Sequence, residues 1–209
     1  MSYQRYSFRI FLLATLLLFS IQGCGVEQRP PAASPPTSTP SPTSTPAPTR
    51  NPANETSTPT PEPGQRYTQS DGGFSYIPPS GWEIVIYPNL KYMVARGPLL
   101  GSFPIYISFV DEASSSSLDD YVAESLSALT QANENAKIIS QEEFITNAAQ
   151  RGVKAIFENK QLDIQLIQVF YFFDTGAMKF VATYSRTANI GQENDILVDQ
   201  CTKTFRIEQ

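Results

Sequence analysis

Hydrophobic positions divide the chain into three parts. A mostly apolar run occupies residues 10–21, and residues 29–63 contain no large apolar side chain. From residue 65 onward, hydrophobic side chains recur at every second position, as in a half-buried strand, or at every third and fourth position, as in a helix. The pattern therefore predicts one folded domain over residues 65–209, long enough to form a core, behind two segments of a different kind.

Strands dominate the first part of this domain. Two clusters of turn residues, Asp71-Gly72-Gly73 and Pro78-Pro79-Ser80-Gly81, enclose a short apolar segment. Segments rich in β-branched and aromatic residues predict strands over residues 74–77, 82–87, 91–96 and 105–110.

A helix is predicted from Ser117, which is a good N-cap residue. Asp119 and Asp120 follow in the first turn, where negative charge meets the positive end of the helix dipole. The helix is expected to end near residues 131–133. Its apolar stripe, which predicts packing on a sheet, consists of Leu118, Tyr121, Val122, Leu126 and Leu129.

The last part is rich in strands and ends in a second helix. We predict strands over residues 137–144, 153–158 and 164–173, and we place the last of these, which is the most apolar, in the centre of the sheet. Asp174-Thr175-Gly176 predicts a hairpin turn into a return strand. The residues expected to share one face of that strand are Met178, Phe180, Ala182 and Tyr184. The apolar residues of a final helix over residues 192–203 are Ile196, Leu197, Val198 and Cys201.

The N-terminus has the parts of a secretory signal. Arg5 and Arg9 accompany the apolar run, and the small residue Gly23 directly precedes Cys24. The sequence up to Cys24 resembles the lipobox of bacterial lipoproteins. That resemblance implies removal of residues 1–23 as a signal peptide and attachment of a diacylglycerol to Cys24, with palmitate-like acyl chains.

Two alternatives stay open for this segment. One is an uncleaved membrane anchor, although the run is shorter than the roughly 20 apolar residues that a span requires. The other is an ordinary signal cut near Gly23. With lipidation at Cys24, two or more acyl chains would hold the protein at the extracytoplasmic face of the cell membrane. The sequence leaves open whether that is an inner or an outer membrane.

Residues 24–64 are predicted to be a disordered linker. Pro, Ser, Thr and Ala dominate this segment, which cannot bury enough surface to offset the entropy of ordering. Frequent proline favours an extended, semi-rigid stalk. A Pro-rich ligand for a partner domain and an O-glycosylated stretch are the alternatives.

Composition excludes several classes of chemistry. The chain has no histidine, which removes Ser-His-Asp and Cys-His catalysis and the commonest metal ligand. It has no Gly-x-Ser-x-Gly elbow, no phosphate-binding glycine loop and no Cys-x-x-Cys pair. Residues 65–209 carry 11 Lys and Arg against 17 Asp and Glu, so a nucleic-acid partner is not expected. We therefore expect neither an enzyme nor a cofactor.

Three groups of residues remain as candidates for chemistry. Cys201 is expected to be a buried apolar residue on a helix, because no activating base is evident. A second group is acidic and surrounds the first helix start: Asp111, Glu112, Asp119, Asp120 and Glu124. It could bind a cation, but its loose spacing favours a solvated helix start, so no metal site is predicted. Aromatic residues that could line a groove, but are more typical of a core, are Tyr76, Trp82, Tyr87, Tyr92 and Tyr106.

The domain resembles the PsbP-like family, which shares its fold with Mog nuclear-import factors and DcrB-type bacterial lipoproteins. The resemblance rests on a strand followed by Pro-x-Gly-Trp, within residues 73–82, on the Ser-Leu-Asp-Asp-Tyr helix start, on a long hairpin and on a C-terminal helix closing on Thr204-Phe205. It covers most of residues 65–209. It implies an α+β fold, in which helices sandwich an antiparallel sheet, and it implies binding to other proteins.

Two functional hypotheses follow. The first is a non-catalytic module, expected to be monomeric, that binds or scaffolds another envelope protein. The second is a carrier of a small molecule or lipid on a stalk, suggested by the aromatic-rich sheet. An internal cavity or a bound ligand would distinguish the second hypothesis from the first.

Overall fold

The computed structural model describes residues 56–57, 64–69, 73–87, 92–100, 103–133, 135–161 and 164–208. These residues form two helices, α1 (Leu118–Ala132) and α2 (Glu193–Lys203). They also form eleven strands, which in chain order are β1 (Thr56–Ser57), β2 (Tyr67–Gln69), β3 (Phe74–Tyr76), β4 (Glu83–Tyr87), β5 (Tyr92–Leu100), β6 (Phe103–Ala113), β7 (Lys137–Ile145), β8 (Arg151–Gln161), β9 (Ile164–Asp174), β10 (Met178–Thr187) and β11 (Arg206–Ile207).

Eight of these strands form one antiparallel sheet, in the order β1-β4-β5-β6-β10-β9-β8-β7. Strand β9 lies between β10 and β8, and most of its side chains are buried. The prediction of a central strand there is therefore confirmed. A smaller sheet, in the order β11-β3-β2, pairs the C-terminal strand with β3.

Neighbouring residues of β9 show how the helices are placed. Tyr171 and Phe172 point to opposite faces of the sheet because side chains alternate along a strand. The ring of Phe172 meets Tyr121 of α1 edge to face, with 6.2 Å between centroids. The hydroxyl of Tyr171 donates to Asp199 of α2. One helix therefore covers each face, which confirms the predicted α+β fold with an antiparallel sheet between helices.

The main core lies between the large sheet and α2 and is rich in aromatic rings. Phe205, just after α2, is fully buried and stacks on Phe173 with 4.6 Å between centroids. Tyr76 of the small sheet stacks on Phe109 at 4.1 Å. Because these rings come from β3, β6, β9 and the segment after α2, the core joins the small sheet, the large sheet and the helix.

Helix α1 begins and ends where its sequence pattern predicts. The Oγ atom of Ser117 accepts a hydrogen bond from the backbone N–H of Asp120 at 3.1 Å, as an N-cap should. The helix ends at Ala132, and the predicted apolar stripe is buried. Local capping and the apolar stripe favour the same element here, which explains the agreement.

The sequence pattern missed the short strands β1, β2 and β11 and shortened three others, β5, β6 and β8. Strands β5 and β6 extend beyond the predicted residues, with a register shift between Arg96 and Leu99. Strand β1 lies inside the segment predicted as linker and pairs with β4, with Thr56 opposite Ile86. Strands β1, β2 and β11 have two or three residues, too few to show alternation, and each is stabilised by pairing with a neighbouring strand.

Candidate functional site

The acidic residues around the start of α1 do not converge. Asp111 and Glu112 are neighbours on β6 and point to opposite faces of the sheet. The hydroxyl of Tyr121 donates to Glu112 at 3.0 Å, and half-burial raises the pKa of that carboxyl above its ordinary value. Asp119 lies 3.7 Å from Arg151, and Asp120 accepts a hydrogen bond from the hydroxyl of Ser117.

Each carboxylate of this group is therefore held by a different element of the protein or faces solvent. Among the described residues, no group of three or more His, Cys, Asp and Glu side chains could hold a metal ion. The group fits a capped, solvated helix start, where acidic side chains favour the helix dipole.

Cys201 is buried on α2, as predicted, with 3% of its surface exposed. Burial raises the pKa of its thiol well above the ordinary value. The thiol therefore stays protonated at neutral pH and behaves as a small apolar core residue.

The candidate groove residues belong to the core where the structure describes them. Tyr76 and Trp82 are 0% and 2% exposed, and Tyr76 is stacked against other rings. Tyr106 is half-buried on β6. The side chains of Tyr87 and Tyr92 lie outside the described part of the chain. The interpretation of Tyr76 and Trp82 as core residues is confirmed.

Sequence analysis missed a polar network that fixes α2 on the sheet. The Nζ atom of Lys154 on β8 lies 2.8 Å from Asp199 of α2, and the hydroxyl of Tyr171 donates to the same carboxylate. Burial and the bond to Asp199 raise the pKa of Tyr171, so it remains a donor. The Lys154 ammonium also lies 5.7 Å from the centroid of the Tyr171 ring.

A second ion pair holds the beginning of the same helix. Arg186 of β10 donates to both carboxylate oxygens of Asp195, at 2.8 and 2.9 Å. Asp195 and Asp199 are four residues apart and therefore lie on one side of α2. The sequence shows the spacing of the two aspartates on the helix. It does not show their partners, Lys154 and Arg186, because pairing with β8 and β10 depends on the order of strands in the sheet.

With α2 held by these two ion pairs, some of its apolar residues face the core and others face solvent. Val198 and Cys201 are buried, with 0% and 3% exposed. Ile196 and Leu197 are 65% and 39% exposed, and Ile190, in the turn before the helix, is 52% exposed. We call Ile190, Ile196 and Leu197 the α2 surface. The sequence pattern grouped the apolar residues of this helix, and the structure divides them between the core and solvent.

Three large aliphatic side chains are thus exposed within eight residues of sequence. The helix that carries two of them is held by ion pairs on one side and by the aromatic core beneath. Because α2 is held in place, little backbone freedom is lost when a partner binds these side chains.

Cys24, the predicted site of lipid attachment, lies outside the described residues, as do residues 1–23. Within the part of the chain that the structure describes, neither helix is long and apolar enough to cross a membrane.

Comparisons with known proteins are informative about the fold. No protein-family model matches the chain, and no curated protein matches it. Among solved structures, the protein PA94 of Pseudomonas aeruginosa, of unknown function, has a TM-score of 0.50 at 14% identity, over 67% of this chain and 94% of that one. The fold of this chain therefore resembles that of PA94.

Two further solved structures are similar at lower scores. The cyanobacterial PsbP protein CyanoP from Synechocystis sp. PCC 6803 has a TM-score of 0.42 at 11% identity, over 68% of this chain and 91% of that one. The T6SS immunity protein TplEi of Pseudomonas aeruginosa, complexed with a peptide, has a TM-score of 0.40 at 10% identity, over 74% of this chain and 59% of that one.

Proposed function

We propose that this protein is a lipid-anchored, non-catalytic docking module that binds another protein of the cell envelope through the α2 surface. The observation that carries the proposal is the exposure of Ile190, Ile196 and Leu197 on and beside a helix whose other side is fixed to the sheet. Burying such side chains against a partner stabilises a complex by roughly 25 cal/mol for each Å² removed from water.

The N-terminal sequence supports the anchored part of the proposal. A diacylglycerol on Cys24 would hold the protein at the extracytoplasmic face, and the Pro-rich segment that follows would carry the domain away from the lipid surface. Substituting Cys24→Ser in the full-length protein should move it from the membrane fraction to the soluble fraction and remove its lipid label. Retention of Cys24→Ser in the membrane fraction, without a lipid label, would contradict a lipid anchor.

The docking part is tested by quantitative co-purification from the membranes of the host. Ile196→Asp places a charge on the α2 surface and should lower the yield of a co-purifying protein at least tenfold, because the charge must be desolvated on binding. Ser127→Asp is the matched control, since it adds the same charge at an exposed position of α1, which covers the opposite face of the sheet. A partner that binds both variants as well as the wild type would rule out this surface.

A carrier function receives no specific support from the described residues. The aromatic side chains that suggested a groove, Tyr76 and Trp82, are packed in the core.

A further inference from the structure

Strand β7 is an edge of the large sheet that is exposed along nearly its whole length. The sheet order ends at β7, and no described strand pairs with its outer side. Of its side chains, only Phe144 is buried, whereas Ile138, Ile139 and Ile145 are 42%, 47% and 54% exposed. An edge strand of this kind offers unpaired backbone N–H and C=O groups to another extended chain.

The part of β7 able to accept a strand is its C-terminal half. A register shift between Ile138 and Ser140 interrupts the pairing with β8, and such a bulge discourages the addition of a strand at that point. Residues 140–145 pair with β8 in regular register. In an antiparallel sheet about every second residue of such a run directs its backbone groups outward.

Charge on this run opposes its pairing with a second copy of the same chain. Glu142 and Glu143 occupy its centre, and their side chains are 60% and 56% exposed. Antiparallel self-pairing with matching faces places Glu142 opposite Glu142, or Glu143 opposite Glu143, of the second copy. Like charges directly opposite one another destabilise a pair of strands.

Acidic groups also outnumber basic groups around these glutamates. Arg151 lies 3.1 Å from Glu143 and also 3.7 Å from Asp119. Lys154 lies 3.8 Å from Glu142 but only 2.8 Å from Asp199. Two cations are therefore shared among four carboxylates, which leaves this surface with a net negative charge. An incoming strand with basic residues opposite Glu142 and Glu143 is attracted to such a surface.

We propose that residues 140–145 of β7 form a strand-addition site for an extended segment of a partner protein with two adjacent basic residues between β-branched residues. The basic pair lies opposite Glu142 and Glu143, and the apolar residues lie opposite Phe144 and Ile145. This site goes beyond the proposed function, because it lies on a different element from the α2 surface and recognises a backbone together with charge.

The test uses the full-length protein and the peptide Thr-Val-Val-Lys-Arg-Thr-Thr. Antiparallel addition places its Lys opposite Glu143 and its Arg opposite Glu142. Hydrogen–deuterium exchange of the backbone amides of residues 140–145 should slow when the peptide binds. The same peptide N-methylated at alternate amides keeps its charge but loses backbone bonds, and it should not slow that exchange.

Charge recognition is tested with the double variant Glu142→Gln/Glu143→Gln, which should bind the peptide about tenfold more weakly. The control Glu124→Gln/Glu193→Gln neutralises two exposed acids elsewhere and should bind like the wild type. The Ile196→Asp variant should also bind like the wild type, which separates this site from the α2 surface.

Three results would overturn the proposal. The first is the absence of slowed exchange at residues 140–145 with saturating peptide. The second is equal slowing by the N-methylated peptide, which would show attraction by charge alone. The third is slowing that depends on protein concentration without peptide, which would make a second copy the occupant.

Discussion

At the scale of single residues, close packing explains why a glycine occupies position 97, for which the sequence alone suggests no reason. A Cβ atom at Gly97 would lie 2.6 Å from Cε2 of the Trp82 ring. Trp82 itself is only 2% exposed, so the ring has little space to move aside. The Pro-x-Gly-Trp turn predicted the position of Trp82 at the core, but it could not show that residue 97 of another strand must leave room for the ring.

We expect Gly97→Ala to lower the free energy of unfolding by about 1–3 kcal/mol, because overpacking forces the indole or the strand to shift. Chemical denaturation of the full-length protein measures this loss. In a Trp82→Leu background, the same substitution should cost much less, since the smaller side chain leaves space for the methyl group. An equal loss in both backgrounds would contradict the contact.

A buried lysine is the second residue whose role the sequence conceals. Lys179 of β10 has a side chain that is 0% exposed. Its ammonium lies 3.0 Å from Asp174 and donates to the backbone carbonyl oxygens of Ser114 and Gly176, at 3.1 and 3.4 Å. It therefore ties the β9–β10 turn to the segment before α1. Two of its partners are backbone atoms, which no sequence pattern identifies.

Lys179→Met should lower the free energy of unfolding by about 2–4 kcal/mol, because it leaves the Asp174 carboxylate and two carbonyl oxygens without their donor. Lys137→Met, at an exposed position of β7, is the matched control and should change stability by no more than about 0.5 kcal/mol. Equal denaturation midpoints for the two variants would show that the Lys179 contacts contribute nothing.

At the scale of elements, α1 and α2 differ in what the sequence reveals. The boundaries of α1 were predictable because Ser117, the acidic first turn and the apolar stripe all lie within the helix. Helix α2 was predicted too, but its orientation was not. One of its ion pairs joins Asp199 to Lys154 of β8, 45 residues earlier, and the other joins Asp195 to Arg186 of β10, nine residues earlier. In the resulting orientation Val198 is buried and Ile196 is exposed.

Asp199→Asn should loosen α2, because Lys154 loses the nearer of its two charged partners and the Tyr171 hydroxyl loses its carboxylate acceptor. We expect a loss of about 1–2 kcal/mol in the free energy of unfolding and faster hydrogen exchange along α2. Asp119→Asn removes an acid from a solvent-exposed pair and should cost less than about 0.5 kcal/mol. Unchanged exchange in Asp199→Asn would show that the core alone holds the helix.

At the scale of the whole molecule, periodicity predicted the fold better than it predicted the site. Alternating hydrophobicity in β8, the long apolar run of β9 and the turn at residues 174–176 predicted strands that the sheet contains, with β9 in its interior. The antiparallel sheet between helices was what the family resemblance implied. The α2 surface and the β7 edge were not foreseen. They depend on which side of an element the tertiary structure leaves uncovered, and hydrophobicity alone assigns an exposed isoleucine to a core.

Docking of a specific envelope protein by the α2 surface can be tested in the host cell. A direct test places a photoreactive amino acid at position 196 of the full-length protein in its host, with the exposed position 127 of α1, on the opposite face of the sheet, as the control. We expect a crosslinked adduct of one discrete mass from position 196 and none from position 127. No adduct from position 196, or the same adducts from both positions, would contradict it.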